Sequence, residues 1–431
     1  MLRILVGLSV ALAIAVPAAA GDVTVIHAGK LLDKPGKPPR GPTTIIVRDG
    51  KIESVTDGIK SAESGAAVVD LSDRFVLPGL IDSHVHLTSD KAGVEAQLLS
   101  VSASIPANAY EAAANARKTL EAGFTTVRNL GDRFGVTLAL RDAVAAGKVP
   151  GPRIVDAGTS ISTTSGHMDP TLGFRPELAD AMDVHDNLCD GVESCRRAVR
   201  MQVRRGVDVI KIATTGGVNS RIGAGLGRQM FDDEVKALVD TAHLYGKKLA
   251  VHAHGADGIA MALRAGADSI EHGTLMTADE ARLFVRSGAY YVATLSTVNG
   301  YIERLKNNPD AYTPEVKAKI EWRIGITGKS FRLAHDHGVK IAFGTDAGVS
   351  MHGRNADEFE LMVKHGMTPA EALTAATVSA ADLLGLSDQV GTIEPGKRAD
   401  IVAVAGDPLD DVTVLKSVGF VMKDGKVYKG S

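Results

Sequence analysis

The sequence is poor in cysteine and in net charge, and beyond residue 20 it contains no long apolar run. Two cysteines are too few for a cysteine-rich metal knuckle or a disulfide-stapled scaffold. A formal net charge of −3 without an arginine-rich run gives no nucleic-acid surface, so no nucleic-acid partner is expected. The 431 residues, 45% hydrophobic and 23% charged, suit a globular chain with one large and one small domain.

The first twenty residues have the layout of a secretory signal peptide. Arg3 supplies the positive start, residues 4–16 form the apolar core, and three alanines at 18–20 precede the predicted cleavage point before Gly21. The alternative, a membrane anchor, is disfavoured because a bilayer span needs roughly 20 apolar residues. The sequence therefore predicts an exported protein, periplasmic or secreted, without membrane association after cleavage of residues 1–20.

The two cysteines, Cys189 and Cys195, lie close together in the sequence. An exported chain meets an oxidising compartment, which favours a disulfide between them over the alternative of two free thiols. The bridge is expected to clip a loop before a helix.

Both ends of the mature chain are typical of one small β domain. Residues 21–77 and 392–431 contain short β-branched runs divided by Gly, Asp and Pro. Asp-Gly pairs at 49–50 and 424–425 each lie between apolar runs and indicate hairpins. We expect the two segments to form one β-sandwich domain, with residues 78–391 inserted between them.

The inserted segment alternates strand and helix patterns eight times, from LIDSHVHL to KIAFGTDAG with its following helix. Eight such units predict an α/β fold, the (β/α)8 TIM barrel, and a doubly wound open sheet is the alternative. The predicted helices end at glycines that suit left-handed caps: Gly123, Gly147, Gly206, Gly246, Gly266, Gly288, Gly338 and Gly366.

Chemically active residues collect at the ends of the predicted strands, where barrels carry their catalytic groups. They are His84 and His86 on strand one, Lys211 on strand four, His252 and His254 on strand five, His272 on strand six, and Asp346 on strand eight. Residues two apart share a face of a strand, so His84 and His86 point the same way and Lys211 points inward. An unpaired inward ammonium is costly, so Lys211 needs a partner or must lose its charge.

Each of these residues also has a structural interpretation when it is taken alone. A single inward histidine is usually a hydrogen-bonded core residue, a single inward lysine an ion-pair partner, and an aspartate before Ala-Gly part of a turn. Together, imidazoles and a carboxylate from several strand ends predict a metal site. Zinc is the expected metal, although the residues do not separate it from manganese or cobalt.

The stretches PGLIDSHVHL, HAHG, EHGT and GTDAG, with Lys211, resemble the metal-dependent amidohydrolase superfamily. They are most similar to its imidazolonepropionase-like branch, which contains Xaa-Pro and Xaa-Arg/Lys dipeptidases and ochratoxin-type amidases. The resemblance implies two divalent metal ions, bridged by an N-carboxylated Lys211. It also implies that Asp346 binds the first ion, takes a proton from the attacking water and passes it to the leaving nitrogen.

The histidine ligands follow from the same resemblance. His84 and His86 would bind the more buried ion, and His272 would bind the second ion with one histidine of strand five. Because His252 and His254 share a face, strand parity cannot choose between them. The family pattern favours His252 as the ligand and places His254 near the substrate.

The reaction implied by the resemblance is hydrolysis of the amide bond of a dipeptide or an N-acyl amino acid, with ochratoxin-type amides included. One alternative is a mononuclear enzyme of the same fold, either an imidazolonepropionase-type cyclic-amide hydrolase or a deaminase. Such enzymes generally lack the strand-four lysine. A second alternative is a non-catalytic exported binding protein. The expected partner is a small molecule or a dipeptide, and relatives suggest a homo-oligomer that no residue here demonstrates.

Substrate contacts are expected from the loops after strands three and four. His167, in STTSGHMDP, is either a substrate or transition-state contact or an ordinary loop residue. Arg221 or Arg228 is a candidate for binding a substrate carboxylate. The surrounding GAGLG does not match G-x-G-x-x-G, which disfavours a dinucleotide loop and favours a mobile lid or substrate loop. The GKS at 328–330 is interpreted as helix surface.

Overall fold

The structure, a computed structural model, describes residues 23–182, 187–220 and 225–430. The predicted signal peptide, residues 1–20, and the candidate Arg221 lie outside the described residues. Within the described ranges, no helix combines the length and the apolar character that a membrane crossing requires.

The described part of the chain contains strands in three hydrogen-bonded sheets. The strands are β1 Val23–Leu31, β2 Thr43–Arg48, β3 Lys51–Asp57, β4 Ala67–Pro78, β5 Leu80–Val85, β6 Phe124–Asn129, β7 Arg153–Asp156, β8 Val209–Ala213, β9 Lys248–Ala253, β10 Ser269–His272, β11 Tyr290–Val292, β12 Ile401–Val404, β13 Phe420–Lys423 and β14 Lys426–Lys429.

Helices separate most of the inner strands. They are α1 Gly93–Ser102, α2 Ile105–Glu121, α3 Val136–Ala145, α4 Pro176–Ala181, α5 Val192–Arg204, α6 Asp232–Leu244, α7 Ala256–Ala265, α8 Ala278–Ser287, α9 Thr297–Asn307, α10 Pro314–Gly325, α11 Lys329–Asp336, α12 Asp357–Lys364, α13 Pro369–Thr374 and α14 Ala380–Leu384. A π-helical turn, Ala375–Ser379, joins α13 to α14, and a 3-10 helix spans Val412–Ser417.

Strands from both chain ends form one continuous sheet, in the order β14-β13-β12-β4-β1-β2-β3. Residues of β1, β2, β4, β12 and β13 share one apolar cluster, so the two ends depend on each other for their core. The pairs Asp49-Gly50 and Asp424-Gly425 have φ values of 51° and 76° and of 49° and 77°. Positive φ at both central residues is the condition of a type I′ hairpin turn, which confirms the predicted hairpins.

The remaining strands close into the predicted barrel. β5, β6 and β7 form one parallel sheet, and β8 to β11 form another. On one side, a parallel bridge between Ile161 and Ile212 joins the two sheets. On the other side, the segment 341–347 bridges to Tyr291 of β11 and to Val85 of β5. The ring of parallel backbone, with helices between its strands, is a (β/α)8 barrel with an attached β-sheet domain.

The eighth barrel segment is not the regular strand that KIAFGTDAG predicts. Asp346 has a φ of 57°, which breaks the extended conformation. The backbone N–H of Thr345 donates to the carboxylate of Asp82 at 3.1 Å instead of to a neighbouring strand. The barrel still closes, since the N–H of Asp346 donates to the carbonyl of His84 at 2.7 Å and that of His86 donates to Ala347 at 2.7 Å.

Two further predictions are confirmed. All eight glycines predicted to cap helices have positive φ, between 65° and 126°. Cys189 and Cys195 form a disulfide, which ties the loop before α5 to the first turn of that helix.

Candidate metal centre

The strand-end residues predicted as ligands meet in one cavity at the carboxyl end of the barrel. The cavity has a volume of about 190 Å³. Its lining includes His84, His86, His167, Lys211, His252, His254, His272 and Asp346. The strand-parity argument was therefore correct in placing His84, His86 and Lys211 on the inside of the barrel.

The first group of donors is His84, His86 and Asp346. An Asp346 carboxylate oxygen lies 3.3 Å from His86 Nε2 and 3.6 Å from His84 Nε2. One ligand atom from each residue fits within 4.8 Å of the others, which suits a single cation. Burial opposes ionisation of Asp346, but the two histidines outweigh it and lower the pKa of its carboxyl, so this donor is anionic.

The outer nitrogens of both histidines are fixed by hydrogen bonds. His84 Nδ1 donates to Glu271 at 2.9 Å, and His86 Nδ1 donates to the carbonyl of Gly131 at 3.1 Å. Glu271 accepts a further bond from Arg128 at 2.8 Å. Burial opposes the ionisation of Glu271, but Arg128 and His84 prevail and lower its pKa to about 2. A permanent carboxylate thus orients His84 and leaves its Nε2 free toward the cavity.

The second group consists of three histidines. His272 Nδ1 lies 2.7 Å from the Thr294 hydroxyl, and His254 Nδ1 lies 2.8 Å from the Thr274 hydroxyl, so each keeps Nε2 free. In His252 the opposite ring nitrogen is engaged: Nε2 lies 3.3 Å from the Gly216 carbonyl oxygen, which leaves Nδ1 free. Each ring therefore has one free nitrogen, and all three could ligate.

Their surroundings distinguish His252, in β9, from His254, which directly follows that strand. Burial lowers the pKa of His252, His254 and His272 well below its usual value, so all three are neutral. Lys211 lowers the pKa of His252 and His272 further, whereas Arg323 acts on His254. The ring centroid of His272 lies 4.6 Å from that of His252 and 5.1 Å from that of His254. The ring of His252 is thus the nearer of the two to that of His272.

Lys211 is the most unusual residue of the site. Its side chain is 1% exposed, and Nζ has no hydrogen-bond partner. Burial lowers the pKa of its amine to about 8, despite the opposing charge of Glu271. Carboxylation of this amine by CO₂ would convert it to an anion with two oxygen donors. Among the described residues, His84, His86 and Asp346 bring three donor atoms within 4.8 Å of one another, and Lys211, His252 and His272 line the same cavity.

Backbone strain marks the same strand ends. His272, Thr294 and Asp346 follow or end consecutive barrel strands, and their φ values are 71°, 50° and 57°. Left-handed φ is uncommon outside glycine and costs about 1–3 kcal/mol per residue. The strain coincides with two candidate ligands and with the hydroxyl that orients His272, which supports a functional assignment.

His167 is brought into the site. Its ring stacks on that of His252 with centroids 4.1 Å apart, and its Nδ1 is buried without a partner. Burial and Lys211 lower the pKa of His167 to about 4, so the ring is neutral. A Cβ on Gly217 would lie 2.1 Å from the ring, so the glycine is needed for this packing. His167 also lines a second cavity of about 430 Å³ outside the first.

Arg228, a candidate for binding a substrate carboxylate, is not among the residues that line either cavity. Its guanidinium donates to Asp232 at 3.0 Å and to the carbonyl of Met230 at 3.4 Å, and it does not line the inner cavity. Asp232, four residues later in the chain, thus forms a surface salt bridge with Arg228. Arg221, the other candidate, lies outside the described residues.

Sequence reasoning missed three residues of the site. Glu271 directly precedes His272 in SIEHGT, and a carboxylate next to a predicted ligand could have identified it as a site residue. No feature of the sequence around Arg128, the buried partner of Glu271, identified that arginine. Arg323 lines the inner cavity, and no sequence signal pointed to it. The GKS at 328–330 was predicted to be helix surface, which is wrong for Ser330, since this residue is buried and donates to the carbonyl of Thr274.

Known proteins share this architecture. Residues 75–428 match the Amidohydrolase family. The crystal structure of a Xaa-Pro dipeptidase with bound methionine in the active site has a TM-score of 0.89 and 41% identity, covering 95% of this chain and 100% of that one. Ochratoxinase of Aspergillus niger is 31% identical over 95% of this chain and 87% of its own length. Imidazolonepropionase of Deinococcus radiodurans is 25% identical over 85% of this chain and 86% of its own.

The match extends from the end of the N-terminal strands through the whole barrel to the last strand of the sheet domain. It therefore includes each strand end that contributes to the inner cavity. The chain belongs to the amidohydrolase family, and it is a metal-dependent hydrolase of carbon–nitrogen bonds.

Proposed function

We propose that the protein hydrolyses the amide bond of dipeptides or N-acyl amino acids with two divalent cations, zinc being the expected metal. The observation that carries the proposal is Lys211, a fully buried amine without a hydrogen-bond partner. Structural lysines pair with a carboxylate or reach solvent, and this one does neither. Carboxylation would consume the neutral amine and CO₂, form an N–C bond, release one proton and leave an anion between the two donor groups.

The ligand assignment follows from the free nitrogens. His84 and His86 would hold one ion with Asp346, and His252 and His272 would hold the other, with the carboxylated Lys211 shared between them. His252 is preferred to His254 because its ring lies nearer to that of His272, at 4.6 Å against 5.1 Å.

The residues around the ligands would carry the proton transfers. Bound cations would supply Lewis acidity toward a substrate carbonyl and toward water. Asp346 would accept a proton from the attacking water and later donate it to the leaving nitrogen, which one carboxylate can do because the steps run in sequence. The neutral ring of His167 would hydrogen-bond the reacting carbonyl oxygen through its unpartnered Nδ1.

The two cavities suit an extended substrate. The outer cavity, about 430 Å³, meets the inner one at His86 and His167 and has apolar walls that include Phe174 and Val316. An acyl group or an N-terminal residue fits there, with the scissile amide at the inner donors. A relative with 41% identity is a Xaa-Pro dipeptidase with bound methionine, a free amino acid of the kind that such hydrolysis releases.

The mononuclear alternative remains represented among the relatives by imidazolonepropionase. Lys211 in the cavity favours the binuclear enzyme, and metal analysis separates the two, since about two ions per chain are expected rather than one. The non-catalytic alternative conflicts with family membership and with a complete donor set. We also propose export to the periplasm or beyond, which the Cys189–Cys195 disulfide supports.

The experiment is a substrate panel on purified protein supplied with zinc and bicarbonate. The panel contains dipeptides, N-acyl amino acids and ochratoxin-like amides, each tested with and without chelator. Amino acid release that chelator abolishes and zinc restores is the expected result. A chain that carries two zinc ions and releases no amino acid from any panel member would contradict the proposal.

A further inference from the structure

Arg323 is a buried cation that the proposed chemistry leaves without a role. It belongs to α10, whose buried residues are Val316, Ile320 and Arg323, spaced four and three apart on one face. The first two pack in an apolar cluster with Tyr301 and Tyr312. An arginine that is 4% exposed at the end of such a stripe needs a compensating anion.

No anion of the described residues pairs with it. Arg323 donates one hydrogen bond, to the Thr327 hydroxyl at 3.1 Å, and no described carboxylate oxygen lies within salt-bridge distance of its guanidinium. Glu358 and Asp346 interact with Arg323 only at longer range, and the two oxygens of Glu358 accept the backbone N–H groups of Leu295 and Ser296 at 2.8 and 2.6 Å. Most of the five guanidinium donors are therefore available to a ligand.

The free donors face the site. Arg323 lines the inner cavity together with the metal-binding donors and Tyr301. The other charged side chains among the described lining residues are Lys211 and Asp346. Once Lys211 is carboxylated, Arg323 is the only fixed positive charge that the described protein presents there.

We propose that Arg323 binds the α-carboxylate of the substrate and so restricts the enzyme to amides of free amino acids. This inference rests on the proposed function and deepens it. A planar guanidinium matches a carboxylate with two parallel hydrogen bonds, which an amide or ester terminus cannot reproduce. The contact between Arg323 and the carboxylate also fixes the orientation of the substrate, because the leaving amino acid then lies in the smaller inner cavity and the acyl group extends into the outer one.

The test compares paired substrates that differ only at the terminus, N-acetyl-L-methionine and N-acetyl-L-methionine amide. The zinc-loaded wild type is expected to prefer the acid by about 10- to 100-fold in kcat/KM, the range of a hydrogen-bonded charge pair. In Arg323→Met, kcat/KM is expected to fall by that factor on the acid and to change little on the amide. Arg323→Lys, which keeps the charge without the fork, is expected to fall between them. Arg332→Met, an exposed arginine on α11, is the control and should match the wild type.

A second readout does not depend on turnover. L-methionine, tested by calorimetry or as a competitive inhibitor, should bind Arg323→Met about 10- to 100-fold more weakly than the wild type, while methioninol should bind both alike. Equal kcat/KM of the wild type on acid and amide, or an equal loss on both substrates in Arg323→Met, would overturn the assignment. If the wild type hydrolyses neither substrate, the substrate panel decides the proposed function, and the binding measurement decides the role of Arg323. If Arg323→Met does not fold, the acid-to-amide ratio of kcat/KM in the wild type and in Arg323→Lys decides whether Arg323 binds the carboxylate.

Discussion

Replacing Glu271 by glutamine should weaken both the fold and the metal site. The Glu271 carboxylate joins Arg128, at 2.8 Å, to His84, at 2.9 Å, and neither partner of the carboxylate is more than 2% exposed. Glutamine keeps the size of the side chain but removes the negative charge. Arg128 would then be an uncompensated buried cation, and His84 would lose the acceptor that fixes its tautomer.

The size of the loss follows from the pKa of Glu271, which falls from 4.5 to about 2 on folding. A depression of this size corresponds to about 3 kcal/mol of stability. Because the folded pKa is the lower one, this stability is fully present above pH ~4.5 and disappears as the pH falls toward 2. Loss of the carboxylate that orients His84 should weaken metal binding by about 10- to 100-fold in addition.

Two measurements separate these effects: urea unfolding of chelator-treated protein, and zinc affinity by competition with a chromophoric chelator. Glu358→Gln is the matched control, since Glu358 is equally buried but accepts the backbone N–H groups of Leu295 and Ser296 in place of a buried cation, and burial raises its pKa to about 7. In the control, the free energy of unfolding should fall by about 1 kcal/mol, and the zinc affinity should not change. If Glu271→Gln is as stable as the control at pH 7, or binds zinc like the wild type, the Arg128–Glu271–His84 chain does not have the role assigned to it.

Two substitutions test the remaining chemistry. Asp346→Asn should lower kcat by about 100-fold or more, the range of general acid–base catalysis, while metal content measured by mass spectrometry stays substantial; near-normal turnover would refute proton transfer by Asp346. Lys211→Ala should lose metal and activity together, with partial recovery when short carboxylic acids are added, and full metal occupancy in that variant would argue against a bridging carbamate.

The barrel was predictable because its pattern repeats. Each of the eight units combines an apolar strand, a helix and a closing glycine, so an error in one unit does not change the total. The hairpins at Asp49-Gly50 and Asp424-Gly425 were predictable for a local reason, since that dipeptide adopts the two positive φ values of a type I′ turn. In both cases the information lies within a few residues of the feature it determines.

The eighth strand shows where such local information fails. KIAFGTDAG has the composition of a buried strand, yet a carboxylate more than 250 residues away, Asp82, takes up the N–H and the hydroxyl of Thr345. The resulting turn places Asp346 in the left-handed region and points it at His84 and His86. Hydrogen bonds between distant segments therefore override the strand propensity of KIAFGTDAG. No short stretch of the sequence contains both partners of these bonds.

The same distinction explains which site residues were found. Histidines at strand ends could be predicted because a strand end is a local feature and the barrel brings all strand ends to one rim. Arg323 could not, because α10 lies outside the strand and loop pattern, and nothing nearby shows that its last turn faces the cavity. If the arginine anchors the substrate carboxylate, metal chemistry resides on the barrel strands and substrate selection on an excursion between strands seven and eight. Homologues that keep the strand ends and change α10 are then expected to keep amide hydrolysis and lose the preference for a free carboxylate, which the paired acid and amide substrates measure directly.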